Sequence, residues 1–172
     1  MPTQAVLAKG IVPPPKVLHL DRSDPTRAVA ELLDRHIDPK GTLIVGYAPF
    51  ERAVNKEIGE RLGAYSGQME RINGQVRDLR DIFVKLHYVH PEFRGSASIK
   101  DVMPVLVPEL SYDGWAIKEG TMASEQWWTM TAAETEASER SAIAAALRAY
   151  CRLDSYAMYA IWKELNRLVT SL

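Results

Sequence analysis

The chain has 172 residues, 47% of them hydrophobic and 25% charged, enough for one domain with a substantial core. A net charge of −1 excludes a protein held to nucleic acid mainly by an overall excess of cations, but not an enzyme that visits nucleic acid through one groove and a metal. The lone Cys151 excludes an internal disulfide, no apolar run approaches the roughly 20 residues that span a membrane, and the N-terminus lacks a signal peptide's charged and apolar regions, so a soluble cytoplasmic protein is expected.

Residues 1–15 read as a poorly ordered leader closing on Pro13, Pro14 and Pro15, and residues 16–172 as the domain. Lys16–Leu20 suits a short strand. Asp24 and Pro25 then predict a helix start, with Asp as cap and Pro at the first helical position. That helix runs to about His36 with Val29, Leu32 and Leu33 inward, and a turn follows over 38–41. Thr42–Tyr47 is continuously apolar, the pattern of a strand buried on both faces in a parallel sheet. Pro49 opens a second helix with Phe50, Val54, Ile58 and Leu62 stepping by four, and Gly63 suits its C-terminal cap. A polar segment leads to a candidate strand over Gln75–Leu79, with Asp78 near its end, and a helix over Asp81–Tyr88. His90–Ser96 is a loop. Ser98 caps a helix to about Val107, which Pro104 either kinks or divides into two short turns. Tyr112, Asp113 and Gly114 form a turn, a further helix carries Trp127 and Trp128, and one long helix spans Ser138–Val169. Helices and strands alternating in this order predict an α/β fold with helices covering a sheet.

On the last helix, Ile143, Leu147, Cys151, Met158, Ile161, Leu165 and Leu168 recur at three- and four-residue steps, the stripe that faces a core. Asp154 completes that ladder. A carboxylate there needs a partner, a proton or a metal. Tyr150 lies one turn earlier and can share the same site. A salt-bridged Asp at the stripe edge is the competing reading. Cys151 reads as a small core residue. Glu51 falls in the first turn of a helix that follows a buried strand, where ligand sites of α/β sheets form; a dipole-stabilising acid is the plain alternative. Arg94, Ser96, Ser98 and Lys100, in a loop before a helix N-terminus, suit a phosphate or else an exposed capped loop. Trp127 and Trp128 suit packing more than base stacking, since no cations interleave them. His87 and His90 are three apart but have no third ligand nearby for zinc.

The segments Val45–Glu51 (VGYAPFE) and Tyr150–Asp154 (YCRLD) resemble the second and third motifs of the DEDD, or DnaQ-like, 3′–5′ exonucleases, the latter in their tyrosine-containing branch. The ordered set Asp78–Phe83, His90–Lys100, Pro104–Pro108, Leu110–Asp113 and Tyr150–Met158 is most similar to the bacterial domain of unknown function 2779 family, over about residues 17–165. The resemblance implies a ribonuclease-H-like sheet flanked by helices. It implies metal-dependent phosphodiester hydrolysis in single-stranded nucleic acid with Mg²⁺ or Mn²⁺. Glu51 and Asp154 would hold metal, with Asp78 a further candidate ligand, and Tyr150 would orient the attacking water. A two-ion site of this type needs several carboxylates.

The chain departs from that pattern in one respect. The exonucleases open with an Asp-x-Glu pair on the central strand, and no Asp-x-Glu occurs in these 172 residues. The expectation is therefore a domain truncated on its N-terminal side, lacking the first strand hairpin and two of four metal carboxylates, with impaired hydrolysis. Its rival is a non-catalytic binding or assembly remnant, or a gene fragment. With the first strand missing, Thr42–Tyr47 would have an open edge, which favours self-association or a partner that donates a strand.

Overall fold

The computed structural model describes residues 18–111 and 114–171. Helix α1 (Thr26–His36) has Pro25 at its N-cap, one position earlier than the first helical position expected for it, and Asp24, expected as the cap, stands just outside and accepts the Thr26 N–H at 3.0 Å. Strand β1 (Leu43–Val45) leads through Gly46 and Tyr47 into α2 (Ala48–Arg61). A 3₁₀ turn (Gly63–Tyr65) joins α2 to α3 (Ser66–Gln75), and α3 runs straight into β2 (Val76–Asp78). After it come α4 (Asp81–Val84), a 3₁₀ turn (Pro91–Phe93), α5 (Ile99–Leu106), α6 (Gly120–Met130) and α7 (Ala137–Thr170). Among the described residues β1 and β2 form a two-stranded parallel sheet, with Leu43 opposite Val76 and Val45 opposite Asp78. The fold is thus mixed helix and a small parallel sheet.

The core lies in two main bodies. Helices α2 and α3 pack with α1 around Ala30, Ile58, Met69 and Ile72. Gly59 eases this approach: a Cβ there would stand 3.2 Å from the Ser66 Cα, so a larger residue would push α3 outward by a few tenths of an ångström. The second body joins α5 and the C-terminal half of α7 to Phe83 and Phe93, whose rings meet edge to face at 5.6 Å. A smaller cluster sets α6 against the N-terminal half of α7 through Met130, Ile143 and Leu147.

Several expectations are corrected. The leader over 1–15, with Lys16, Tyr112 and Asp113, lies outside the described residues. Of the expected strand at Lys16–Leu20, Leu18, His19 and Leu20 are irregular, and Trp127 takes the His19 carbonyl with its indole N–H at 2.8 Å. The strand expected over Thr42–Tyr47 shrinks to three residues, because Asp78 draws Ala48 into the first turn of α2. Phe50 is 60% exposed, not inward. The buried face of α2 is instead Ala48, Asn55, Ile58 and Gly59, turned toward α3. The polar segment after Gly63 is a full helix whose Met69 and Ile72 fill the core, and Gly63 opens the linking turn instead of capping α2. The helix expected to reach Tyr88 stops at Val84, with Leu86 in the left-handed region at φ 57°. Pro104 sits inside one continuous α5.

On α7 the expected stripe holds at Ile143, Leu147, Ile161 and Leu165 but not at Cys151, Met158 and Leu168. The buried residues are Ile143, Ala144, Leu147, Leu153, Ala157, Ala160, Ile161 and Leu165. Cys151 is exposed rather than a core residue, and Asp154 is half-buried at the stripe's edge rather than within it. Alanines 157 and 160 account for the difference: small residues let α7 lie close to its neighbours, which makes them the true centre of its buried face.

Candidate active site

The C-terminal end of β1 is where α2 begins and where α5 and α7 come close. Gly46 follows Val45, and a Cβ on it would stand 3.2 Å from the Met158 Sδ of α7 and 3.8 Å from Ile99 Cγ1 of α5. The bare glycine therefore lets α7 cross close to the strand end. Asp154 lies one turn before Met158 and projects from the same side of α7. Glu51 occupies the first turn of α2, which starts three residues after β1 ends.

Electrostatics tie these residues together. Glu51 is exposed over the residue as a whole, yet burial of its carboxyl raises its pKa above the ordinary value, and the Asp154 charge raises it further. Two like charges that feel each other favour a shared proton or a cation between them. The Tyr150 phenol is pushed up to about 12, first by burial and then by the charge of Asp154. It is therefore a neutral hydroxyl at neutral pH, able to donate a hydrogen bond. Burial and the same Asp154 charge also push the Cys151 thiol up, so it is a poor thiolate nucleophile. Tyr150 is half-buried and packs against both the α5–α7 core and the α6–α7 cluster, which fixes its position.

Asp78 stands nearby in the fold but is used differently. Its Oδ2 accepts the Ala48 N–H at 2.8 Å and its Oδ1 accepts the Arg80 N–H at 2.9 Å. The end of β2 is thereby stapled to the N-terminus of α2, where a negative charge also meets the helix dipole. Arg80 covers the ring of Tyr47, which is half exposed, at 5.2 Å. Among the described residues no three His, Cys, Asp or Glu side chains converge closely enough to hold a metal ion.

The loop before α5 is also bound up in its own structure. Ser98 accepts the Lys100 N–H at 3.3 Å as the α5 cap. Ser96 donates to Asp101 at 2.5 Å and accepts the Ser98 N–H at 3.1 Å. Arg94 is exposed in the left-handed region at φ 50°, followed by Gly95 at φ 80°. With Asp101 already placing a carboxylate at this helix N-terminus, Ser96, Ser98 and Lys100 form a capped turn. Trp127 packs against the α6–α7 cluster, while the exposed Trp128 is covered by Arg22 at 5.2 Å. His90 accepts the Glu92 N–H through Nδ1 at 3.3 Å.

Sequence reasoning paired Tyr150 with Asp154 by helical spacing. It missed Gly46, whose signal was a glycine ending an apolar strand, and the capping work of Asp78, which depends on a residue 30 positions away. A family described as Domain of unknown function (DUF2779) matches residues 13–98, half of the chain. The matched stretch holds Glu51 and Asp78, whereas Tyr150 and Asp154 lie beyond it. No curated protein and no solved structure matches the chain. Among the described residues no helix is long and apolar enough to cross a membrane.

Proposed function

The chain belongs to this family of domains of unknown function, and from that premise we propose a nuclease-type domain for metal-dependent hydrolysis of phosphodiester bonds in single-stranded nucleic acid. The finer identity we propose is a ribonuclease-H-like, DEDD-type domain of the tyrosine-containing branch. The observation that supports the reading is that Glu51 of α2 senses Asp154 of α7: burial first, and then the Asp154 charge, raise the pKa of Glu51.

The donor chemistry sets a limit. Two carboxylates and a phenol suit one Mg²⁺ or Mn²⁺, which binds oxygen and keeps several waters. They fall short of the set that a pair of ions requires. When bound, such an ion supplies Lewis-acid charge to the phosphate and lowers the pKa of its water. Glu51 and Asp154 would hold it, and their repulsion is what its charge relieves. Tyr150, kept protonated, would orient a water or a phosphate oxygen by donating its O–H. Asp78 holds the α2 N-terminus in place and thereby positions Glu51. Arg94, Ser96, Ser98 and Lys100 are not assigned to the substrate, because the two hydroxyls are taken up in capping.

A second reading, a non-catalytic binding or assembly module, is favoured by the absence of a three-ligand metal group among the described residues. The same residues pair β1 with β2 alone, so a partner strand or a second copy would extend the sheet. Two measurements separate the readings. Mn²⁺ binding followed by electron paramagnetic resonance is expected to be weak and to vanish in Glu51→Gln with Asp154→Asn; no binding at all would leave only the second reading. Hydrolysis of labelled single-stranded RNA and DNA with Mg²⁺ or Mn²⁺ is expected at trace level, and Asp154→Ala should abolish it. Robust turnover lost in Asp154→Ala would mean that another chain supplies the remaining carboxylates, which sedimentation at several concentrations would detect as self-association.

A further inference from the structure

The outer face of α7 differs from the rest of the surface. Arg148, Arg152, Tyr156, Tyr159 and Lys163 follow one another at steps of four, four, three and four, so they line one side of the helix, with Trp162 one turn from Tyr159 on the same side. Arg148, Arg152 and Lys163 are exposed and make no ion pair among the described residues. The rings form a continuous ladder: Tyr156 to Tyr159 is 6.1 Å between centroids and Tyr159 to Trp162 is 6.0 Å. Trp162 is 41% exposed. Between Glu139 and Glu164 the only acid on α7 is Asp154, which projects on the side of Met158. Glu164 is itself neutralised by Arg167 at 2.6 Å. From other elements, Glu109 is the acid whose charge reaches this face, at Tyr156. What sets this face apart is the alternation of cations with aromatic rings along one helix side, whereas Arg61 is engaged by Asp24 and Glu57, and Lys85 by Asp81.

We propose that this face of α7, from Arg148 to Lys163, is a docking track for single-stranded nucleic acid. Phosphates would meet Arg148, Arg152 and Lys163, and unpaired bases would stack on the Tyr159–Trp162 end of the ladder. Both terms are independent of base sequence. At a rise of 1.5 Å per residue the track is about 22 Å long, enough for a few nucleotides. Duplex DNA would satisfy the cations but hides the base faces inside its stack, so the rings select a single strand. The track runs along the helix that carries Tyr150 and Asp154. It lies on a different side of α7 from Asp154, so it rests on the nuclease reading only for its choice of ligand, and its own binding does not require that reading.

The test is fluorescence anisotropy of a labelled oligothymidine and a labelled oligouridine with the full chain in chelator, where no hydrolysis can intervene. The charge-reversed variant Arg148→Glu with Arg152→Glu and Lys163→Glu should bind at least ten-fold more weakly, with the salt slope flattened by about 2, the value for three lost phosphate contacts on a single strand. Trp162→Ala should weaken binding about ten-fold with the salt slope unchanged. Circular dichroism of each variant confirms that these exposed substitutions leave the fold intact. The proposal is overturned if the wild-type chain does not bind, if charge reversal changes nothing, or if duplex binds as tightly as single strand and Trp162→Ala has no effect. Tighter capture by anionic vesicles than by oligonucleotide overturns it too. Binding without any metal-dependent hydrolysis would sustain the track and remove the nuclease reading, while hydrolysis unaffected by the α7 variants would do the reverse.

Discussion

Asp78 closes one strand of the parallel pair and Glu51 lies in the first turn of the helix that follows the other, and the fold treats them in opposite ways. Asp78 has two backbone N–H groups, from Ala48 and Arg80, arranged around its oxygens. Glu51 has no hydrogen-bond partner for its carboxylate among the described residues and faces the charge of Asp154 instead. A satisfied carboxylate builds structure; one held near another negative charge without a hydrogen-bond partner of its own, as Glu51 is, suits a cation. The contrast marks which acid to test for function and which for stability.

The largest expected effect falls on the satisfied acid. Asp78→Ala strips the buried Ala48 N–H of its acceptor and should destabilise the chain by about 2 kcal/mol, read as a lower midpoint in urea. A midpoint unchanged by this substitution would break the comparison at its structural end. Next comes the α5 cap, where Ser98→Ala should cost about 1 kcal/mol. That loss would agree with a turn satisfied by its own hydroxyls, whereas a neutral Ser98→Ala would reopen the loop to a ligand role.

Glu51 should behave in the opposite sense. Its folded pKa lies above that of the unfolded chain, so the native state takes up the proton more readily. The cost of its charge is absent at pH below the ordinary carboxylate range and appears as pH rises through the raised value. Glu51→Gln should therefore stabilise the chain at neutral pH by a few tenths of a kcal/mol, a figure reduced for solvent screening at an exposed residue. In acid it should change nothing. Thermal melts at two pH values check this, and a destabilising Glu51→Gln at neutral pH would mean that the acid is structural after all. The smallest effect is spectroscopic. Asp154→Asn should lower the Tyr150 pKa from about 12 by less than half of its excess, because burial is the larger cause. Tyrosinate absorbance across an alkaline titration measures it.

The sequence alone determined the long helix of α7, a helix start beside Asp24 and Pro25, the parallel strand beginning at Leu43 and the closeness of Tyr150 to Asp154. Each of these depends on residues within a few positions of one another, so local propensity and helical spacing are enough. Tertiary structure decided the rest. Packing against α5 and β1 kept Ile143, Leu147, Ile161 and Leu165 of the α7 stripe inside but turned Cys151 outward and buried Ala157 and Ala160. Phe50 looked inward by period but was displaced because α3, itself hidden in a polar stretch, closes on Gly59. Asp78 acquired its role from the Ala48 N–H, a partner that no local pattern points to. The repulsion between Glu51 and Asp154 likewise joins residues about a hundred positions apart, and Gly46 permits it by leaving room for Met158. Sequence spacing fixes which side chains share a helix face; packing alone fixes which faces meet.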